Sequence, residues 1–362
     1  MNYELYMKSE IEKTLFVEIT SDLTINNNGD NILKKGEYPI LPKDLVHMAK
    51  VGLESVTPAM LLDGMLYMIS CDPEFEYNTS YLDFFKTMKG IENYIILNIN
   101  NAGKEDLKKG LIYSTALIKI NPKREYQYNR VLMLMAYYEK LKQDFLTNEI
   151  LRSLEALISQ FPDYIVPHYH LGEYYLDKDM DIAKVHLRIC IEEPELSGEA
   201  AELLRRIENT ENFDEAVEFI KIGRGNEALE LLIPLCEEDE ENFDAKYYAA
   251  VAFRQIQDNQ KALQYLRALT DFAERPEVYS EIALNIAQLG DFQTALVYFK
   301  KALKITPDDA GVICNIGVCQ YSLGILEEAK KTFELANRIN PEDEISYKWL
   351  VKINAKNKEP KK

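Results

Sequence analysis

Gly223-Arg-Gly225-Asn-Glu-Ala228 spells the glycine fingerprint that lets a backbone approach a dinucleotide pyrophosphate, and Asp244 follows sixteen residues after Ala228. That chemistry needs a strand before the glycines and a helix after them. The preceding Phe213–Ile222 has helical spacing, so both glycines are expected in a turn between helices. Asp177, Asp179 and Asp181 open like a calcium loop. Its sixth position is Ile182 where a glycine is needed, and its twelfth is Arg188 where a glutamate is needed. His168, His170 and His186 could ligate a transition metal, but His168 and His170 on one helix project about 200° apart. His47 has no evident partner in the sequence. Cys71, Cys190, Cys236, Cys314 and Cys319 form no CxxC pair, which argues for buried free thiols in a reducing compartment. No GxSxG, HExxH or GxxxxGK(S/T) occurs. No catalytic set, cofactor site or metal site is therefore expected.

The bulk properties narrow the rest. The 362 residues carry a net charge of −18 and only 15 glycines. Nucleic acids and anionic membranes attract an excess of Lys and Arg, so neither is an expected partner. From Glu173 to Asp244 there are 22 acidic against 7 basic residues, so the acidity is concentrated centrally. Such a segment either solubilises the chain or docks a basic partner. The opening MNYELYMKSEIEKT lacks the basic start and apolar run of a secretory leader. The most apolar stretch, Pro58 to Ile69, is too short for a membrane span and contains Asp63. A cytoplasmic location is the simplest expectation.

The chain then repeats itself. Gly290, Ala295, Phe299, Ala302 and Pro307 recur as Gly324, Ala329, Phe333, Ala336 and Pro341, each 34 residues later. Tyr279 and Ile282 match Ile313 and Ile316 at the same interval. The steps of four and three between Ala295, Phe299 and Ala302 place all three on one helical face. Small alanines permit close helix approach, the phenylalanine fills the wedge, and the prolines separate one hairpin from the next. A lone hairpin of this kind cannot cover its apolar flank and must stack.

These residues resemble the tetratricopeptide repeat, a helix–turn–helix unit of about 34 residues. The resemblance is closest over 276–343 and good over 209–275, where Phe253, Ala262 and Leu266, then Gly223, Ala228 and Leu232, keep the scheme. It is moderate over 164–195, through His168, Leu171, Gly172, Tyr175, Ala183 and Leu187, and weakest over 91–163. Tyr94, Leu97, Gly110, Leu117 and Pro122 mark one such unit, and residues 123–163 form a longer hairpin ending at Phe161-Pro162. A helix from Gly198 to Ile207 fits no unit, so the phase breaks there and the first helix of 209–242 looks short. Residues 344–355 read as a terminal capping helix, and 356–362 as a basic tail expected to fray.

Residues 1–90 differ. Leu15–Ile19 and Thr24-Ile25 read as strands, Asn26–Asp30 as a turn, and Ile32-Leu33 as a partner strand, with Pro39 and Pro42 closing the segment. Helices are expected from Lys43 to about Val51, and from a Thr57-Pro58 cap to about Ser70. The expected fold is thus mainly α: an α-α superhelix, a tetratricopeptide-like right-handed solenoid, with a small N-terminal β/α element.

The resemblance implies a concave groove lined by the first helix of each repeat. The corresponding positions are Tyr169, Glu173, Phe213, Val217, Tyr247, Val251, Arg254, Ser280, Leu284, Gln288, Cys314, Val318 and Tyr321. The lysines and asparagines with which chaperone-binding members hold a terminal carboxylate are replaced here by Tyr247, Ser280 and Cys314. The groove reads as apolar and aromatic. The expected function is a non-enzymatic scaffold or adaptor binding a protein or peptide segment, with basic character favoured by the acidic surround. Two alternatives stand beside it: a peptide- or ligand-responsive regulator, and an enzyme with its site in residues 1–90.

Overall fold

The structure, a computed structural model, describes residues 2–25, 31–51, 56–270 and 274–356. The expected turn at Asn26–Asp30, the side chain of His47 and the tail beyond 356 lie outside what is described. The chain divides into two compact units, Met1–Leu204 and Arg205–Lys362.

The first unit opens with α1 (Tyr3–Lys8), then β1 (Leu15–Ile19), β2 (Leu23–Thr24), β3 (Ile32–Leu33) and β4 (Gly36–Ile40). β1 pairs antiparallel with β4 in the register Leu15↔Ile40 to Ile19↔Gly36, and β2 pairs with β3. Pro39 therefore lies inside a strand instead of ending the segment. It is tolerated because both strands of a two-stranded ribbon are edges, where a missing N–H need cost no ladder bond. Next come α2 (Pro42–Val51), α3 (Pro58–Cys71) and α4 (Asn78–Thr87). Thr57 caps α3, its side chain accepting from the Met60 N–H, and Pro58 starts the first turn. From Leu61 to Cys71 every residue of α3 except Asp63 is buried, as befits a helix that is apolar on all sides. Asp63 accepts from the Tyr94 hydroxyl at 2.6 Å and pairs with Lys43 at 3.4 Å.

Three antiparallel hairpins follow: α5 (Ile91–Ala102) with α6 (Leu107–Ile120), α7 (Arg124–Leu141) with α8 (Asp144–Gln160), and α9 (Val166–Tyr175) with α10 (Met180–Cys190). Met7, Leu66, Phe85, Ile95, Leu111, Leu134, Leu154 and Leu171 share one apolar core, so residues 1–90 and these hairpins are packed together. Ile91, Ile95 and Ala102 are the buried residues of α5, whereas Leu97, expected as an anchor, is 57% exposed. Buried Arg130 joins α1 to α7 and α8, donating to Glu149 (2.7 Å), Thr115 (3.0 Å), Ser153 (3.1 Å) and the Tyr3 hydroxyl (3.2 Å). A buried guanidinium is tolerable when its donors are matched in this way.

The division between units falls inside α11 (Ser197–Lys221). The helices expected on either side of residues 208–212 are one helix. The intervening Glu-Asn-Thr-Glu-Asn contains neither proline nor glycine, so nothing there breaks the hydrogen-bond ladder. The second unit continues with α12 (Gly225–Glu238), α13 (Phe243–Gln255), α14 (Asn259–Thr270), α15 (Pro276–Gln288), α16 (Phe292–Ile305), α17 (Ala310–Ser322), α18 (Leu326–Ile339) and α19 (Glu344–Lys356). α11 meets α12 where Arg205 and Asn209 both bond Glu238. The repeated anchors are the core: Ala295, Ala302, Ala329, Phe333 and Ala336 are fully buried and Phe299 nearly so. α19 lays Trp349 flat on Phe333, with ring centroids 5.6 Å apart and planes at 4°, and buries Ile353.

One turn position recurs between paired helices. Gly223, Gly290 and Gly324 hold φ of 79°, 88° and 79°, and the equivalent place after α13 is Gln257 at φ 66°. An L-side chain is strained there by about 1–2 kcal/mol, part of which glycine's greater unfolded entropy offsets. Gln257→Gly is thus expected to stabilise the second unit by about 0.5–1 kcal/mol, read as a higher urea midpoint at unchanged slope.

Candidate protein-binding face

The cofactor and metal signatures resolve into structure. Gly223 forms the left-handed turn before α12, and a Cβ on Gly225 would stand 2.8 Å from the Ala252 carbonyl oxygen of α13. Gly223 serves the turn and Gly225 the helix packing, and a helix precedes them where a nucleotide fold needs a strand. Asp179 caps α10, accepting from the Ile182 N–H at 3.1 Å, and Asp181 pairs with Lys184. His168 and His170 part company: Nδ1 of His168 lies 2.8 Å from Nδ1 of His186, whereas Nε2 of His170 meets the Tyr128 hydroxyl at 2.9 Å. Among the described residues no group of three or more His, Cys, Asp or Glu is placed to hold a metal. The five cysteines are free and buried. Burial pushes their thiols up, to about 12 in Cys71 and about 11 in the other four, so none is a thiolate nucleophile at neutral pH.

What remains is a helical surface. Of the positions expected to line a groove, Tyr169 (half-buried) and Glu173 (exposed) sit on α9 in the first unit. The others sit on α11, α13, α15 and α17 of the second unit. Phe213, Val217, Tyr247, Val251, Arg254, Ser280, Leu284, Val318 and Tyr321 are all half-buried, and Gln288 is exposed. Cys314 does not belong with them. It is buried beside Phe333 and Ile353, because its turn of α17 faces the last hairpin's core.

Phe213 and Tyr247 are brought together through a residue that spacing did not single out. Tyr248 meets Phe213 edge-on at 5.5 Å and Tyr247 at 5.4 Å, so α11 and α13 carry a continuous aromatic shelf. Burial, then the nearby Glu281 and Glu277 carboxylates, push the Tyr247 hydroxyl up to about 12, so it stays a neutral donor. Arg254 is spent internally. Its guanidinium makes a two-pronged pair with Glu281 of α15, whose side chain is only 5% exposed. Asn285, fully buried one turn on, donates to the Glu281 carbonyl at 2.8 Å and to its carboxylate at 3.2 Å. Glu281 and Asn285 were legible only as two polar residues inside the apolar run VYSEIALNIA, a signal that names no partner. At the other end, Tyr321 is covered by Trp349 of α19 at 5.2 Å, with Lys352 above both rings.

Family models describing the tetratricopeptide repeat match residues 213–277 and 287–351. Those residues are tetratricopeptide repeats. No curated protein matches the chain. It is similar to a crystal structure of the MamA protein at 20% identity and TM-score 0.34, over 55% of this chain and 97% of that one. A tetratricopeptide repeat protein of Parabacteroides merdae is 14% identical at TM-score 0.36, over 73% and 98%. A thermophilic repeat protein of Thermus thermophilus is 18% identical at TM-score 0.36, over 53% and 100%. As a repeat protein the chain is an interaction scaffold, mainly α with short N-terminal strands. Among the described residues no helix is long and apolar enough to cross a membrane.

Two measurable consequences attach to this geometry. Glu281→Ala strands the Arg254 guanidinium and should destabilise the second unit by on the order of 2–3 kcal/mol, below the fully buried value because Arg254 keeps some water contact. Arg254→Met with Glu281→Leu should recover most of that loss in the same urea titration, since an apolar pair leaves no charge uncompensated. The second concerns α9 and α10. Burial, then the neighbouring His186, holds His168 below the usual histidine range, and burial does the same for His186. A depressed histidine binds protons more readily when unfolded, so the hairpin should lose stability as pH falls below about 6.5. His168→Gln with His186→Gln should flatten that slope from about pH 6.5 downward in thermal melts.

Proposed function

We propose that the α11–α13–α15–α17 face takes up an extended or helical segment of a partner protein, by binding and without turnover. The aromatic shelf carries this reading: Phe213, Tyr247 and Tyr248 are held by one another, half-buried and rigid, where a partner side chain can reach them. Tyrosine supplies contact area at little rotamer cost, because only two torsions must be ordered. The internal pairing of Arg254 with Glu281 removes a cation from this face. The acid-rich sequence from Glu173 to Asp244 includes α11 and α12, which favours a partner of basic character and speeds its encounter. Five reduced, buried thiols fit a reducing compartment such as the cytoplasm.

Tyr247→Ala and Phe213→Ala should each weaken capture of basic peptides from an immobilised array by about 2 kcal/mol, roughly thirtyfold. Circular dichroism of each variant at the assay temperature should match the parent, with a melting transition that is lower but still cooperative. Undiminished capture by both folded variants would move the binding site off this face.

A further inference from the structure

A separate cavity lies in the first unit, among α7, α8 and α9. It encloses about 300 Å³, at the lower end of the range for small-molecule sites. Ile150 and Leu154 of α8 form a buried floor, and half-buried Leu151 and Met135 continue it upward. The mouth is polar. Tyr138 comes from α7, and Tyr174 and Lys178 come from α9 and the turn after it. His170 forms one wall, its orientation fixed by the Tyr128 hydroxyl at 2.9 Å and by Glu173 at 3.3 Å.

Charge decides what fits. No aspartate or glutamate lines the cavity. Lys178 stands at its mouth with Nζ 4.0 Å above the Tyr174 ring, donating to the Tyr174 carbonyl at 3.1 Å. Among the described residues no carboxylate pairs with it. Of the acids nearby, Asp179 caps α10, Glu139 pairs with Lys142 and Glu173 bonds His170, while Asp177, next to Lys178 in the chain, is exposed to water. An apolar pocket closed by an unneutralised ammonium and a tyrosine hydroxyl is complementary to a molecule that is greasy at one end and anionic at the other.

We propose that this cavity binds a small amphipathic carboxylic acid, whose apolar body has the size of one aromatic ring or a short chain. The body lies on Ile150, Leu151 and Leu154, and the carboxylate meets Lys178. Octanoate and octanol, which share a tail and differ in charge, test the assignment by calorimetric titration of the full chain. Octanoate should saturate a single site. Lys178→Gln should weaken octanoate by up to about fivefold, the worth of one exposed ion pair, and leave octanol unchanged. Leu151→Gln should weaken both probes; if that variant does not fold, Met135→Gln serves in its place. Failure of either probe to saturate overturns the site. Undiminished octanoate binding by a folded floor variant overturns its location, and an equal effect of Lys178→Gln on both probes overturns the role given to the ammonium.

Discussion

In the second unit, a residue no larger than a methyl group lets two helices touch, and one turn later a large apolar side chain is driven into the gap they leave. Ala295, Phe299 and Ala302 do this in α16, and Ala329, Phe333 and Ala336 repeat it in α18. Everything else in the unit depends on that contact. Around α13 the same scheme recurs, with Ala249, Phe253 and Ala262 sharing a core with Val278 and Ile282 of α15, and there Arg254 reaches Glu281. Ala216 of α11 belongs to that same core, and Phe213 on the same helix meets Tyr248. A hairpin without neighbours would have no reason to hold either geometry, because its apolar flank would face water.

The polar interior follows from the same packing. Glu281 is buried because α15 must pass close to α13, and a buried carboxylate is tolerable only with a matched cation and further donors. Arg254 and Asn285 supply both. The consequence for function is indirect: the face loses a free cation and keeps its aromatic surface, which shifts recognition from charge capture toward apolar anchoring. The turns make the complementary point. Three of four equivalent positions are glycine because a left-handed backbone suits no other residue as well, and Gln257 occupies the fourth under strain.

The first unit solves its packing differently. Its central helix, α3, is apolar all round and is enclosed by the ribbon strand β4, by α1 and by α6. Arg130 fastens α1 to this assembly by way of Tyr3. Among its longer hairpins lies the cavity lined by Tyr138 and Tyr174. Its floor comes from α7 and α8, where the repeat signature is weakest, which is why nothing in the spacing announced it.

The repeated alanines, phenylalanines and prolines determined the hairpins of the second unit from the sequence alone, because helical periodicity is a local property and each anchor needs only its own helix to be read. The Thr57-Pro58 cap and the β1 strand were legible for the same reason. Tertiary structure alone decided the rest. That Glu281 answers Arg254, that Tyr248 joins Phe213 to Tyr247, and that Cys314 turns inward all depend on which helix arrives opposite. So does the pairing of β4 through Pro39, which only an edge position makes harmless. A one-dimensional pattern records which face of a helix is apolar. The distance between two such faces, which governs charge pairing and cavity size, is set by the volumes of side chains drawn from different segments, and it exists only once they are packed.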